Sequence, residues 1–149
     1  MKRVEIEVLS GEQAGFSVDV LPGSYRILRR SAESFDVRST LISSQLEQWQ
    51  LKQEDLELAA ANLSQRAAVT GGPVISIEHF ARAEDVAIWD ERMSQPHAML
   101  LVNGDGAMLV DMGSRNGSYV NGERIGAAML KDGDLVRCGA TRIHVHISG

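Results

Sequence analysis

Cysteine is nearly absent: Cys138 is the only one in 149 residues. That excludes an intrachain disulfide and a zinc knuckle, and the lone thiol reads as a buried, reduced side chain of a cytoplasmic protein. Long apolar runs are missing too. No stretch approaches the roughly 18–20 residues that cross a bilayer. The opening Met1-Lys2-Arg3-Val4-Glu5-Ile6 lacks the apolar core of a secretory signal, so direct membrane insertion is not expected. Positive charge is in deficit, with 15 Lys and Arg against 20 Asp and Glu and a formal net charge of −5. This speaks against nucleic acid as a partner, because such binders carry a basic stripe. It leaves a phosphorylated protein open as a partner, since a few arginines in one loop cluster set the local field. Internal repeats and low-complexity tracts are lacking as well. What remains is 44% hydrophobic and 23% charged residues, ordinary for one globular domain, or one domain with an insertion.

The first thirty residues predict strands. Val4, Ile6 and Val8 alternate with Glu5 and Glu7, and Phe16, Val18 and Val20 alternate again after a Gly11–Gly15 turn. Pro22-Gly23-Ser24 precedes a third candidate strand at Tyr25–Leu28. Residues 31–73 differ in character and predict a helical insertion. Ser44 and Glu47 have capping-box spacing, and Leu46, Trp49, Leu56, Ala60, Leu63 and Ala67 follow a three-and-four spacing until Thr70-Gly71-Gly72-Pro73 ends it. One helix over Ser44–Val69 would be about 38 Å long, longer than a small sandwich, so a break near Asp55 or an overhang is expected. The stripe either packs on the sandwich or, with Leu51 and Leu58, forms a second protein-binding face or a homo-oligomer seam. Strand character returns at Val74–Ile77, Val86–Trp89, Ala98–Val102, Ala107–Asp111, Leu135–Cys138 and Arg142–Ile147. Short strands separated by Asn-Gly and Asp-Gly turns predict an all-β antiparallel sandwich.

The most informative stretch is Asp111-Met112-Gly113-Ser114-Arg115-Asn116-Gly117-Ser118-Tyr119-Val120-Asn121-Gly122. Its two Asn-Gly pairs force tight turns around a very short strand, with Gly117 and Asn121 as the turn residues. No Gly-Lys-Ser/Thr accompanies it, and no Gly-x-Gly-x-x-Gly leads a strand into a helix, so it is not a nucleotide loop. Ser94 and His97 lack a third orienting group and a nucleophile elbow, so they do not read as a catalytic pair. His144 and His146 share a strand face, but two ligands without a nearby third read as ordinary sheet residues rather than a metal site. Asp132 and Asp134 shape a turn. An enzyme is therefore not expected, and no cofactor is implied.

With Ser94-Gln95-Pro96-His97 upstream and Leu130-Lys131-Asp132-Gly133-Asp134 downstream, the loop resembles the forkhead-associated (FHA) family. That family's pattern is Gly-Arg, then Ser-x-x-His, Gly-Ser-x-Asn-Gly-Thr-x-Val-Asn-Gly and Leu-x-x-Gly-Asp. The resemblance covers residues 82–147, and Val8–Gly11 with Gly23–Ile27 is similar to the family's first strands. It implies a sandwich of about eleven strands whose end loops hold a phosphothreonine peptide. Ser94 would bind phosphate through its hydroxyl and amide, Asn116 would hold the peptide backbone, and Arg115 and Gln95 would lie beside the ligand. His97 would brace the site, with Gly117 and Asn121 as further support.

The family's Gly-Arg is altered here. Leu28-Arg29 and Ala81-Arg82 stand where it is expected, so Arg29 is the first choice for the phosphate arginine, Arg82 the second and Arg30 the third. The implied partner is a phosphothreonine-containing protein, a serine/threonine kinase or its substrate, and the implied role is a phosphorylation-dependent adaptor. The altered Gly-Arg also fits a degenerate FHA-like scaffold in a bacterial assembly such as a secretion system, binding partners without phosphate.

Overall fold

The computed structural model describes residues 2–31, 50–72 and 74–149. Twelve strands of these residues build two sheets. The first has the order β2 (Ser17–Val20), β1 (Arg3–Val8), β12 (Thr141–Ser148), β11 (Leu135–Cys138), β8 (Ser118–Val120) and β9 (Glu123–Ile125). The second runs β10 (Ala127–Leu130), β7 (Gly106–Asp111), β6 (Ala98–Asn103), β3 (Ser24–Arg30) and β4 (Ala81–Arg82), with β5 (Val86–Ile88) also paired to β3. Pairing is antiparallel except for β4 and β5, which run parallel to β3. This is the expected sandwich, with twelve strands against about eleven.

Alternation in β1 fixes which face is inward. Val4, Ile6 and Val8 are buried, and they meet Leu28, Leu100 and Leu109 of the second sheet in one apolar cluster. β6 and β7 are buried along almost their whole length, because the second sheet is covered on both faces. Among the described residues its outer cover is a helix, α1 (Gln53–Thr70), whose Ala59 and Leu63 pack with Ile27, Met99 and Val110 in a second cluster.

Of the two alternatives for the helical stripe, the structure has the break: Gln50–Lys52 are not helical and α1 begins at Gln53. The break lies near Asp55, whose carboxylate accepts the Lys52 N–H at 3.2 Å and so caps the new start. Two expectations are corrected. Ala60 is exposed and Ala59 is buried in its place; the inward spacing is 56, 59, 63, 67, the turn of a straight helix on a flat sheet. Val74–Ser76 is not a strand, and Ile77–His79 is a 3₁₀ turn; Ile75 and Ile77 pack under α1's cluster instead. The Ser44–Glu47 capping box, Leu46, Trp49 and Pro73 lie outside the described residues. Gly71 ends α1 in the left-handed region with φ 76°, its N–H donating to the Ala67 carbonyl.

Burial pushes the Cys138 thiol up to about 12, which makes it a core side chain and not a reactive one. Among the described residues no helix is long and apolar enough to cross a membrane.

Candidate functional site

Loops at one end of the sandwich surround an open recess lined by Arg30, Arg92, Ser94, Gln95, Arg115 and Asn116, with Glu91 and Met93 beside them. Three elements bring them together: the end of β3, the loop between β5 and β6, and the loop between β7 and β8. His97 locks the last two. Its ring is fully buried; Nδ1 accepts the Ser94 N–H at 3.0 Å, and Nε2 pairs with the Gly117 carbonyl at 2.9 Å. A carbonyl can only accept and an amide can only donate, so the ring is neutral with its proton on Nε2. Burial holds the imidazole below its ordinary value, against the opposing pull of the Gly117 hydrogen bond and of the Asp111 and Asp90 carboxylates.

Ser94 is tied three ways. Its carbonyl accepts from Arg30 N–H at 3.0 Å, its amide donates to His97, and its Oγ accepts the Arg115 N–H at 2.9 Å. Ser94 lines the recess, and among the described residues its hydroxyl donates to no partner. The amide is already used, so the expectation that both groups reach a phosphate is corrected: only the hydroxyl is available. Asn116 donates one side-chain N–H to the Arg92 carbonyl at 2.8 Å. Among the described residues its second N–H and its oxygen remain unused, a donor–acceptor pair suited to a peptide group.

Two carboxylates absent from the expected site shape these loops. Asp111 accepts from the Gly113 and Ser114 amides at 3.0 and 3.1 Å, from the Ser118 hydroxyl at 2.7 Å, and from the Ser114 hydroxyl. Asp90 accepts from the amides of Arg92 and Ala140, both at 2.9 Å, and from the Thr141 hydroxyl at 2.6 Å. Gly139 lets that corner close: a Cβ there would sit 2.8 Å from the Arg92 carbonyl carbon and the Met93 nitrogen. Asn121, at φ 51°, joins its turn to the next one by donating to Asp134 and accepting the Leu135 N–H, both at 2.9 Å.

The first two choices for the phosphate arginine lie elsewhere. Arg29 and Arg82 both bind Asp85, at 2.9 Å each, with side chains only 13% and 20% exposed. Neither lines the recess, and Arg30 does. The pleat explains this. Arg29 shares its parity with Tyr25 and Ile27, which face α1's cluster, and Arg82 is registered on Tyr25. Arg30 has the parity of Leu28 and emerges where β3 leaves the core. Arg92, not singled out beforehand, joins it; the available signal was its place two residues before Ser94. Among the described residues, Arg30, Arg92 and Arg115 take part in no ion pair.

The two-sheet sandwich has the fold of FHA domains, and the model of the FHA domain family matches residues 69–139. That match spans a little under half of the chain. Among curated proteins, the glycogen accumulation regulator GarA of Mycolicibacterium smegmatis is 39% identical over 59 residues, 40% of this chain and 37% of that protein. The chain spans about two fifths or less of the curated relatives it matches. Among solved structures, an FHA domain studied for phosphothreonine-dependent interactions has a TM-score of 0.57 at 18% identity, over 99% of this chain and 98% of that one. The cytoplasmic domain of PscD, a type III secretion sorting-platform protein of P. aeruginosa, has a TM-score of 0.53 at 16% identity, over 95% and 78%.

Proposed function

We propose that the recess binds a phosphothreonine peptide and that the chain acts as a phosphorylation-dependent adaptor, not as a catalyst. The observation that carries this is the set of guanidinium groups, Arg30, Arg92 and Arg115, which among the described residues take part in no ion pair and line the recess with the Ser94 hydroxyl. A phosphothreonine brings about −1.5 to −2 charges and three acceptor oxygens. Arg30 and Arg115 pair the phosphate, Ser94 donates to it, Asn116 takes the adjacent main chain, and Gln95 lines the rim. The likeness to an FHA domain studied for phosphothreonine-dependent interactions supports this reading, and the partner class is a serine/threonine kinase or its substrate in the cytoplasm.

Anisotropy with a phosphothreonine peptide library, phosphoserine and unphosphorylated controls tests it. Micromolar, phosphothreonine-selective binding is expected. Arg30→Ala and Ser94→Ala should each weaken it about tenfold or more, the worth of one charge-assisted hydrogen bond. Arg29→Ala and Arg82→Ala should leave affinity unchanged and lower stability. Binding that ignores the phosphate would favour the second reading, a scaffold like the secretion-platform domain. The altered Gly-Arg and the resemblance to PscD support that alternative.

A further inference from the structure

His144 and His146 lie two residues apart on β12 and share the solvent face of the first sheet, since Ile143 and Val145 are buried. Antiparallel pairing places Glu7 of β1 directly opposite His144. The third ligand that no sequence spacing announces therefore arrives from the other end of the chain. His144 Nδ1 and His146 Nε2 are 3.0 Å apart, His146 Nε2 and Glu7 Oε1 are 3.5 Å apart, and one ligand atom from each residue falls within 4.8 Å of the others. A tetrahedral Zn²⁺ with bonds of about 2.0–2.1 Å holds its ligand atoms about 3.3–3.4 Å apart. The two closest distances straddle that value. Small side-chain rotations would bring all three groups onto one ion.

We propose that Glu7, His144 and His146 form a binding site for a divalent transition-metal ion of the zinc type, with water completing the coordination. Two imidazoles and one carboxylate select zinc-like ions over calcium and magnesium, which take all-oxygen sets. The His146 and Glu7 side chains are 42% and 39% exposed, so an ion reaches them without opening the fold. All three stand on regular strands, which presets their spacing, and none lines the recess. The ion would clamp the first strand of the chain to the last.

Titration of the chelator-treated full chain tests this, with Zn²⁺ followed by calorimetry and Co²⁺ by visible absorption. Wild type is expected to bind one Zn²⁺ in the micromolar range or tighter, and its Tm to rise by about 5–10 °C at saturating zinc. His144→Asn, His146→Asn and Glu7→Gln should each weaken binding at least about tenfold. Without metal they should melt with wild type, which separates ligand loss from misfolding. Absence of binding tighter than about 100 µM (near −5.5 kcal/mol) in wild type would overturn the proposal. So would binding that any one of the three substitutions leaves unchanged.

Discussion

His97 carries no charge in this site, and that neutrality is the condition on which the Ser94 loop is held. Burial lowers the folded-state pKa of its imidazole below the ordinary 6.5. The unfolded chain therefore binds a proton more readily than the folded one between those two values, and stability rises with pH across that window. As pH falls below about 6.5, stability is lost until the folded-state value is passed. Protonation would also turn Nδ1 from an acceptor into a donor facing the Ser94 N–H, 3.0 Å away. Wild type is expected to lose Tm between pH 7 and pH 5.5, and His97→Gln to start lower and fall less over the same range. Thermal melts across that interval check both slopes, and equal slopes would remove His97 as the cause.

At the scale of elements, α1 does two jobs at once. Ala59, Leu63 and Ala67 are buried and taken up by the chain's own second sheet, while Leu58 of the expected second face stays exposed. The same helix reaches the base of the loop between β7 and β8. Asn62 donates to the Asp111 carbonyl at 2.8 Å, and Arg66 to the Ala127 carbonyl at 3.2 Å. Asp111 in turn orders residues 113–118. Leu63→Ala is expected to cost about 2–4 kcal/mol, the range for truncating a buried leucine. Asn62→Ala should cost about 1 kcal/mol and weaken peptide binding besides. Denaturant melts with peptide titrations measure both; a helix that served only as a cover would show the stability loss with no change in affinity.

For the whole molecule, connectivity decides cooperativity. β1 pairs with β12, the first strand with the last, and β3 pairs with β4, β5 and β6 from beyond the helical segment. The β1–β12 pairs of the first sheet join the two ends of the chain, and the β3 pairs of the second join segments far apart in sequence. The strands and α1 should therefore unfold as one unit. Far-ultraviolet dichroism and tryptophan fluorescence are expected to report the same midpoint in urea. A separate, earlier loss of helical signal would show that α1 docks as an independent element.

The sequence by itself determined the class of fold and most of the loop chemistry. Period-two alternation in β1, Asn-Gly turns and the Ser94-to-His97 spacing are local properties, and local backbone sterics were enough to read them. Asn116 and Asn121 could be placed for the same reason, because each is recognised by the turn it makes. Only the tertiary structure decided which arginine faces the recess. Arg29 and Arg30 are neighbours in sequence, and their opposite fates follow from where the pleat of β3 meets the core and from Asp85, which captures Arg29 and Arg82 together. It also decided the break before α1, the roles of Asp90 and Asp111, and the meeting of Glu7 with His144 and His146. Each of these depends on which distant strands are paired and in what register, and a pairing across the length of the chain leaves no spacing in the sequence from which to read it.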